Sequence, residues 1–428
     1  MLVDRSATQP RAWPPASAPA LVLEQLRCAM LRDRFGHWCQ TLLACLFAFA
    51  SAINHAPLNI ASAMLITCAL IRLHASWRAM PTLLRCDALA PCALLTGWLL
   101  LSLLWTSAQD GAISDLSILR WVIILPALWP VLDHARAIAV AFILGTAVQN
   151  GAQLLQLADL LERPSANPWR HAGIVDHPGD SALRSAMTVV LATGLAFATS
   201  GRARIVLSIA GITALCGVLI AAGRGQILAL AIALPFLFAL LWRGEFISKR
   251  TLILTAVIGT LICASLLMTV GKSSLRYLNE VPEQLSAATD GMDATSPVAS
   301  RLQWWSDAQK LWAAHPVCGN GLGSFASRAS DPKDAQAWTK HPHNSYLGVL
   351  CEGGLIGFAL LAWMLWVLLR ASWQNARRDA LACGACAALV VVLVSALTSD
   401  PQYREMSVAS TMVVVALGCL PIVRGFRN

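Results

Sequence analysis

The residues best placed for chemistry lie in one stretch, His341-Pro342-His343-Asn344-Ser345-Tyr346, which runs straight into an apolar run of membrane-spanning length carrying a lone acid, Glu352. Asn344 is a favourable N-cap for a helix starting near Ser345, and Pro342 holds its neighbourhood extended and rigid. A histidine at a helix N-terminus feels positive potential, which favours the neutral imidazole. A neutral imidazole within reach of water near pH 7 is what a general base requires, so His343 is a candidate base; a loop histidine without a role fits the same residues. Glu352 lies roughly 12 Å deeper than Asn344 at the helical rise. A carboxylate buried in a membrane is expensive, so Glu352 is either functional or paired with an arginine from another helix. Gly353 and Gly357 form a GxxxG, which reads as helix packing rather than ligand contact.

Arginines supply the opposite charge. Arg224 sits in Gly223-Arg224-Gly225, a tight turn between two apolar runs whose glycines let backbone or ligand approach closely. So near hydrocarbon it should be paired or should bind an anion; an arginine reaching out to lipid phosphates is the plainer alternative. Arg301 opens an expected interfacial helix over 300–314. There the helix dipole disfavours a cation by roughly 0.3–1 kcal/mol. A ligand anion would offset that cost, and an exposed ion pair with Asp307 would do so weakly. Arg184, Arg120, Lys272 and Arg276 also lie near the ends of apolar runs and read first as membrane-surface anchors. Several cations and one neutral histidine, with no acidic pair and no metal-ligand spacing, point to chemistry on an anionic lipid, because arginine binds phosphate bidentately.

The elements that must position these groups are membrane helices. The chain is 57% hydrophobic and 13% charged, against roughly 25% charged in a soluble domain. Apolar runs fall at about 38–53, 57–74, 88–105, 118–132, 135–157, 183–199, 203–222, 226–242, 251–270, 345–369, 379–397 and 406–423. The net charge of +9 is spread over short loops between these runs, which fits the positive-inside rule and not a nucleic-acid-binding stripe. With the N-terminus cytoplasmic, every inside segment carries Lys or Arg, from Arg27, Arg32 and Arg34 at the start to Arg424 and Arg427 at the end. The outside turn at 54–57 carries none, and that at 107–115 has acids and no base. Two outside segments are long, 157–183 with Arg163, Arg170, His171, Asp176, His177 and Asp180, and 271–344. In the second, Trp304, Trp305 and Trp312 suit an interfacial helix that Pro316 ends, and Gly319, Gly321 and Gly323 read as a flexible loop. The Pro-rich start lacks the pattern of a cleaved signal peptide. Cys383 and Cys386 form a CxxC inside a membrane run, where packing explains them better than a metal or redox role. The fold class is an all-α polytopic membrane protein of about twelve transmembrane helices, with a large outside loop containing short interfacial helices.

Taken in order, Gly223-Arg224-Gly225, the run from Arg301 to Trp305, the run from His315 to Phe325, and His341 through Gly357 resemble the O-antigen ligase and polymerase superfamily. The Pro-His-Asn-Ser-Tyr segment with its downstream Glu-Gly-Gly is the specific part; Gly-Arg-Gly is weak alone, and the N-terminal helices are similar only generically. The resemblance implies a bacterial inner-membrane glycosyltransferase working on the periplasmic face. It would move a finished glycan from undecaprenyl pyrophosphate to an acceptor with inversion, needing no metal, nucleotide or other cofactor. In the ligase branch the acceptor is lipid A–core, giving lipopolysaccharide; in the polymerase branch it is another lipid-linked glycan. On this chain His343 would act on the acceptor hydroxyl as base or orienting group, Arg224 and Arg301 would hold the pyrophosphate, and Arg184, Asn344, Tyr346 and Glu352 would contact substrate. Residues 1–37 would form a cytoplasmic tail, 38–270 nine helices, 271–344 the periplasmic loop with the catalytic motif, 345–423 three helices, and 424–428 the cytoplasmic end. The compact length counts against a protein-glycosylating oligosaccharyltransferase. A lipid-linked sugar flippase would want polar groups at the bilayer midplane, whereas these charges gather at one face.

Overall fold

A computed structural model describes residues 28–29, 32–77, 83, 87, 89–106, 123–162, 170–174, 177–289, 296–327, 339–401 and 404–420. The Pro-rich start, Arg120, Arg163, Asp176, the first residues of the run at 118–132 and the terminal arginines Arg424 and Arg427 lie outside the described residues. Among the described residues the chain is helical throughout and has no strand. The principal helices are α1 (Arg34–Ala50), α2 (His55–Ile71), α3 (Leu89–Leu101), α4 (Ala135–Leu157), α5 (Pro178–Phe197), α6 (Gly201–Ala221) and α7 (Arg224–Arg243). They continue as α8 (Lys249–Thr269), α9 (Lys272–Thr289), α10 (Pro297–Ala314), α11 (Ser345–Ala376), α12 (Ala380–Ser395) and α13 (Glu405–Cys419).

Five helical stretches are long and apolar enough to cross a membrane: Ile124–Leu157, α6, α7, α8 and α11. The most direct physical sign of a lipid environment is α8. It has no buried residue and turns Ile253, Leu254, Val257, Ile258, Leu261 and Met268 outward. A helix that is apolar on every face and buries none of its residues is stable only where the solvent is itself hydrocarbon. At the other extreme, α12 is only 16 residues long and almost wholly buried, packed against α5, α7, α11 and α13. Small residues permit this: a Cβ on Gly194 of α5 would sit 2.6 Å from the Ala380 carbonyl oxygen and 2.9 Å from the Cα of Gly384.

The structure departs from the sequence expectations in three places. The runs at 118–132 and 135–157, expected as separate helices, are joined over 124–157 as one helical stretch kinked at Val131. The kink follows Pro130, whose ring removes a helical N–H and clashes with the preceding turn. Second, α10 begins at Pro297, not at 300. Ser296 caps it, its hydroxyl accepting from the Ala299 amide at 3.2 Å, and Pro297 supplies a preset φ. Arg301 therefore lies in the second turn, and the dipole penalty expected for a first-turn cation is largely absent.

Third, the glycine segment after α10 is a docked strap, not a flexible loop. α11 breaks at Gly354, which has φ +65° and ψ −165°. The break frees the helical donors and acceptors on either side, and the strap takes them up. The Asn320 and Gly321 amides donate to the Cys351 and Glu352 carbonyls at 3.0 and 2.9 Å. The Leu355 and Ile356 amides donate to the Pro316 and Val317 carbonyls at 2.9 and 3.2 Å. Gly319 and Gly321 have φ +73° and +89°, and a Cβ on Gly319 would lie 2.4 Å from the Glu352 oxygen, so these positions require glycine for shape and for space. The packing expected of Gly353 and Gly357 is present: both lie against Trp98, whose indole N–H donates to the Gly353 carbonyl at 2.8 Å.

Candidate functional site

Five segments converge at one end of the bundle. The cap of α11 carries His341, His343 and Asn344. The Asn344 side chain accepts from the Tyr346 and Leu347 amides at 3.0 and 3.1 Å, so the N-cap expected from the sequence is formed. This helix start is tied to the α12–α13 link: the Ser345 amide donates to the Ala396 carbonyl at 2.9 Å, and its hydroxyl to the Ser399 carbonyl at 3.1 Å. The turn of Arg224 meets the same link, since Gly225 lies against Thr398 and Gly223 against Ala182 of α5. Ahead of α5, the chain at 171–174 is bonded into the bundle by glutamines of α4. Gln156 exchanges two bonds with the Gly173 main chain at 2.8 and 2.9 Å, Gln153 donates to the His171 carbonyl at 2.9 Å, and Gln149 accepts from the Ile174 amide at 2.9 Å. A helix of otherwise apolar character spends its buried amides on fixing a loop, and that loop delivers His177 and Asp180.

His343 is the focus. Its φ is +52°, a left-handed conformation that costs a non-glycine residue about 1–3 kcal/mol and persists only when its surroundings hold it. The extended backbone expected around Pro342 does not reach this residue. The turn seats the imidazole on Trp304 of α10, ring centroids 4.9 Å apart, and puts Nδ1 3.2 Å from Oδ2 of Asp400 in the α12–α13 link. Burial holds the imidazole neutral, pushing its pKa down to about 4, with the charges of Arg301, Arg404 and His177 acting in the same sense. The neutral form expected from the helix terminus is thus found, with burial as its chief cause. Burial likewise pushes the Asp400 carboxyl up to about 7, against Arg404, the His343 and Asn344 amides and Arg301, which favour its charged form. A neutral imidazole with a carboxylate on Nδ1 keeps its proton there, which leaves the Nε2 lone pair for a hydroxyl.

Cations gather at this end of the bundle. Arg301 lies close enough to influence both members. Arg224 donates through Nη1 to Gln284 of α9 at 3.2 Å. Arg404, the N-cap residue of α13, bonds Asp180 at 3.2 Å, and Asp180 also accepts from the Ser407 hydroxyl at 2.9 Å. His341 and His177 are further imidazoles kept neutral chiefly by burial, with pKa values pushed down to about 3 and about 4. Arg184 is wholly buried in α5, one turn beyond Asp180.

The remaining expected site residues are placed differently. The Tyr346 hydroxyl donates to the Leu393 carbonyl at 2.7 Å, bracing α11 against α12, and its ring lines an apolar cavity of about 230 Å³ with Leu95, Val349 and Leu361. Glu352 is buried at the break in α11, where its main-chain carbonyl accepts from the strap. Among the described residues, a grouping with metal-ligand spacing lies away from the histidine loop, at His37, Asp133 and His134.

Sequence reasoning missed Asp400 and Arg404. Both stand in the short segment after α12, within Ser399-Asp400-Pro401 and Arg404-Glu405. The available signal was an acid beside a proline and an arginine in the link between two apolar runs, but nothing in spacing joins them to His343. Residues 209–362 match a family model described as O-antigen ligase. The matched segment contains Arg224, Arg301, His343 and Glu352, while Arg184, Asp400 and Arg404 lie beyond it. No curated protein matches the chain.

Proposed function

We propose that this chain is an inverting O-antigen ligase, transferring a finished glycan from undecaprenyl pyrophosphate to lipid A–core, a reading supported by the match of residues 209–362 to a family model described as O-antigen ligase. In this reading the site faces the periplasm, both termini are cytoplasmic, and the shorter helices also cross the inner membrane to give about twelve spans. The observation that carries the chemistry is the His343–Asp400 pair at 3.2 Å beside Arg301. The acceptor hydroxyl gives its proton to Nε2 of His343 as its oxygen forms the new bond to the anomeric carbon. The bond from that carbon to the pyrophosphate breaks on the opposite face, and the lipid pyrophosphate leaves with the electron pair. Asp400 steadies the imidazolium that forms, and Arg224 and Arg301 meet the charge growing on the leaving group. Fixed guanidinium groups fill the role that a metal plays in other phosphate-leaving reactions, so no cofactor enters the scheme.

Ligase and polymerase differ in acceptor, and a deletion strain separates them. Loss of the gene should leave lipid-linked glycan of normal length unattached to core; core bearing a single repeat would make the protein a polymerase. Arg224→Lys and Arg301→Lys should each slow transfer on the order of 10²–10³-fold, because one ammonium cannot reproduce a bidentate grip. Transfer assayed with purified donor and acceptor at matched protein levels checks this, and full activity in both variants would reduce these arginines to membrane anchors.

A further inference from the structure

Arg184 and Asp180 stand four residues apart on α5, the spacing that sets an acid and a following base on one helix face in the favourable order. They do not bond. Arg184 is 0% exposed, and none of its three guanidinium nitrogens has a hydrogen-bond partner. A buried cation in that condition is costly and waits on a counter-charge. The counter-charge is engaged elsewhere: Asp180 takes Nη1 of Arg404 at 3.2 Å and the Ser407 hydroxyl at 2.9 Å, both from α13. Arg404 differs from Arg184 in being about one third exposed at its side chain, with 31% accessible. It is held by one nitrogen, and it stands where its charge acts on His177, His341, His343 and Asp400 together. The fold therefore stores two arginines and one carboxylate in an arrangement with an obvious exchange.

We propose that Arg404 is a third cation for the donor's pyrophosphate, held by Asp180 in this structure and released to the substrate as Asp180 turns to Arg184. The proposal rests on the reading of the donor as a lipid pyrophosphate. The exchange leaves every charge paired. Arg404 trades a carboxylate for a phosphate of equal sign, and Asp180 moves within its own helix to the guanidinium that lacks a partner. A rotamer change at Asp180 and a swing of Arg404 about the start of α13 suffice, with no helix displaced. Arg404 and Arg301 both act on the His343–Asp400 pair, and two such cations suit a leaving group whose charge is spread over two phosphates.

The test is binding of undecaprenyl pyrophosphate to the purified full chain in nanodiscs, compared for wild type, Arg404→Lys, Arg404→Gln and Asp180→Asn, with thermal unfolding of each. Charge-assisted bonds of this kind are worth on the order of ten- to a hundredfold in affinity. Arg404→Lys and Arg404→Gln should both weaken binding by that order, and Asp180→Asn, which frees Arg404, should bind at least as tightly as wild type. An Asp180–Arg404 pair with a structural role alone gives another pattern: Arg404→Lys restores wild-type binding, and Asp180→Asn lowers the unfolding temperature without tightening the donor. Either result overturns the exchange. If Asp180→Asn does not fold, the Lys and Gln variants decide, rescue by Lys sinking the proposal. Wild-type protein that fails to bind undecaprenyl pyrophosphate overturns both this proposal and the donor reading beneath it. Normal wild-type binding with an unaffected Arg404→Gln overturns the proposal alone.

Discussion

His343→Ala is expected to lose glycan transfer on the order of 10²–10⁴-fold while the protein still binds its lipid-linked donor. The split follows from geometry, because His343 pairs with Asp400 through Nδ1 and stacks on Trp304, whereas the donor's phosphates are assigned to arginines on α7 and α10. His341→Ala leaves the His343–Asp400 pair intact and is expected to lose far less, although burial also keeps His341 neutral. The measurement is transfer with purified donor and acceptor alongside donor binding for both variants. Near-wild-type transfer by His343→Ala would end its assignment as base. Lost donor binding would make it a pyrophosphate ligand instead.

Asp400→Asn should cost nearly as much, again on the order of 10²–10⁴-fold, and should alter the pH profile in a way that His343→Ala cannot mimic. An ionised Asp400 accepts from Nδ1–H and leaves Nε2 as a base. A protonated Asp400, or the side-chain amide that replaces it in Asp400→Asn, can donate to Nδ1 and so favours the tautomer whose Nε2 is blocked. With the carboxyl pushed up to about 7 by burial, transfer by the wild type should fall as pH drops through about 7, well above the ordinary carboxylate range. The sign for stability is the reverse of that for a salt-bridged aspartate. Between the ordinary value of 3.8 and about 7 the folded protein holds a proton that the unfolded chain has released, so Asp400 makes the fold less stable as pH rises through that window. Asp400→Asn should remove both dependences. An acid limb near pH 7 that persists in Asp400→Asn would assign that titration to another group and detach Asp400 from the base.

The parts of this site that were legible in sequence are those whose causes are local. Asn344 as a cap and Pro316 as a helix end follow from neighbours within a few positions, whereas the neutrality of His343, expected from its helix terminus, is held chiefly by burial. Arg224 and Arg301 stood out because a cation beside hydrocarbon needs a reason wherever it occurs. What stayed hidden depends on contacts distant in the chain. Asp400 lies in a link that looks like any other turn until α12 packs against α11 and brings it beside His343. The glutamines of α4 have no local neighbour that marks their role, and only the fold shows them bonded to the chain at 171–174. The glycines at 319, 321 and 323 were misread as flexible because glycine marks permissive backbone, and sequence cannot tell freedom of shape from a demand for one particular shape.

The weld between the strap and the broken α11 sets a dimension. Arg301 rides on the helix that leads into the strap, and His343 rides on the cap of the helix that the strap repairs, so main-chain bonds fix how far apart these two residues are held. Those bonds are indifferent to the side chains around them. In the proposed reaction the site would behave as a vice with a fixed gap and exchangeable jaws: side chains around it could change to admit a new glycan, while the spacing on which bond exchange would depend stays where the backbone put it.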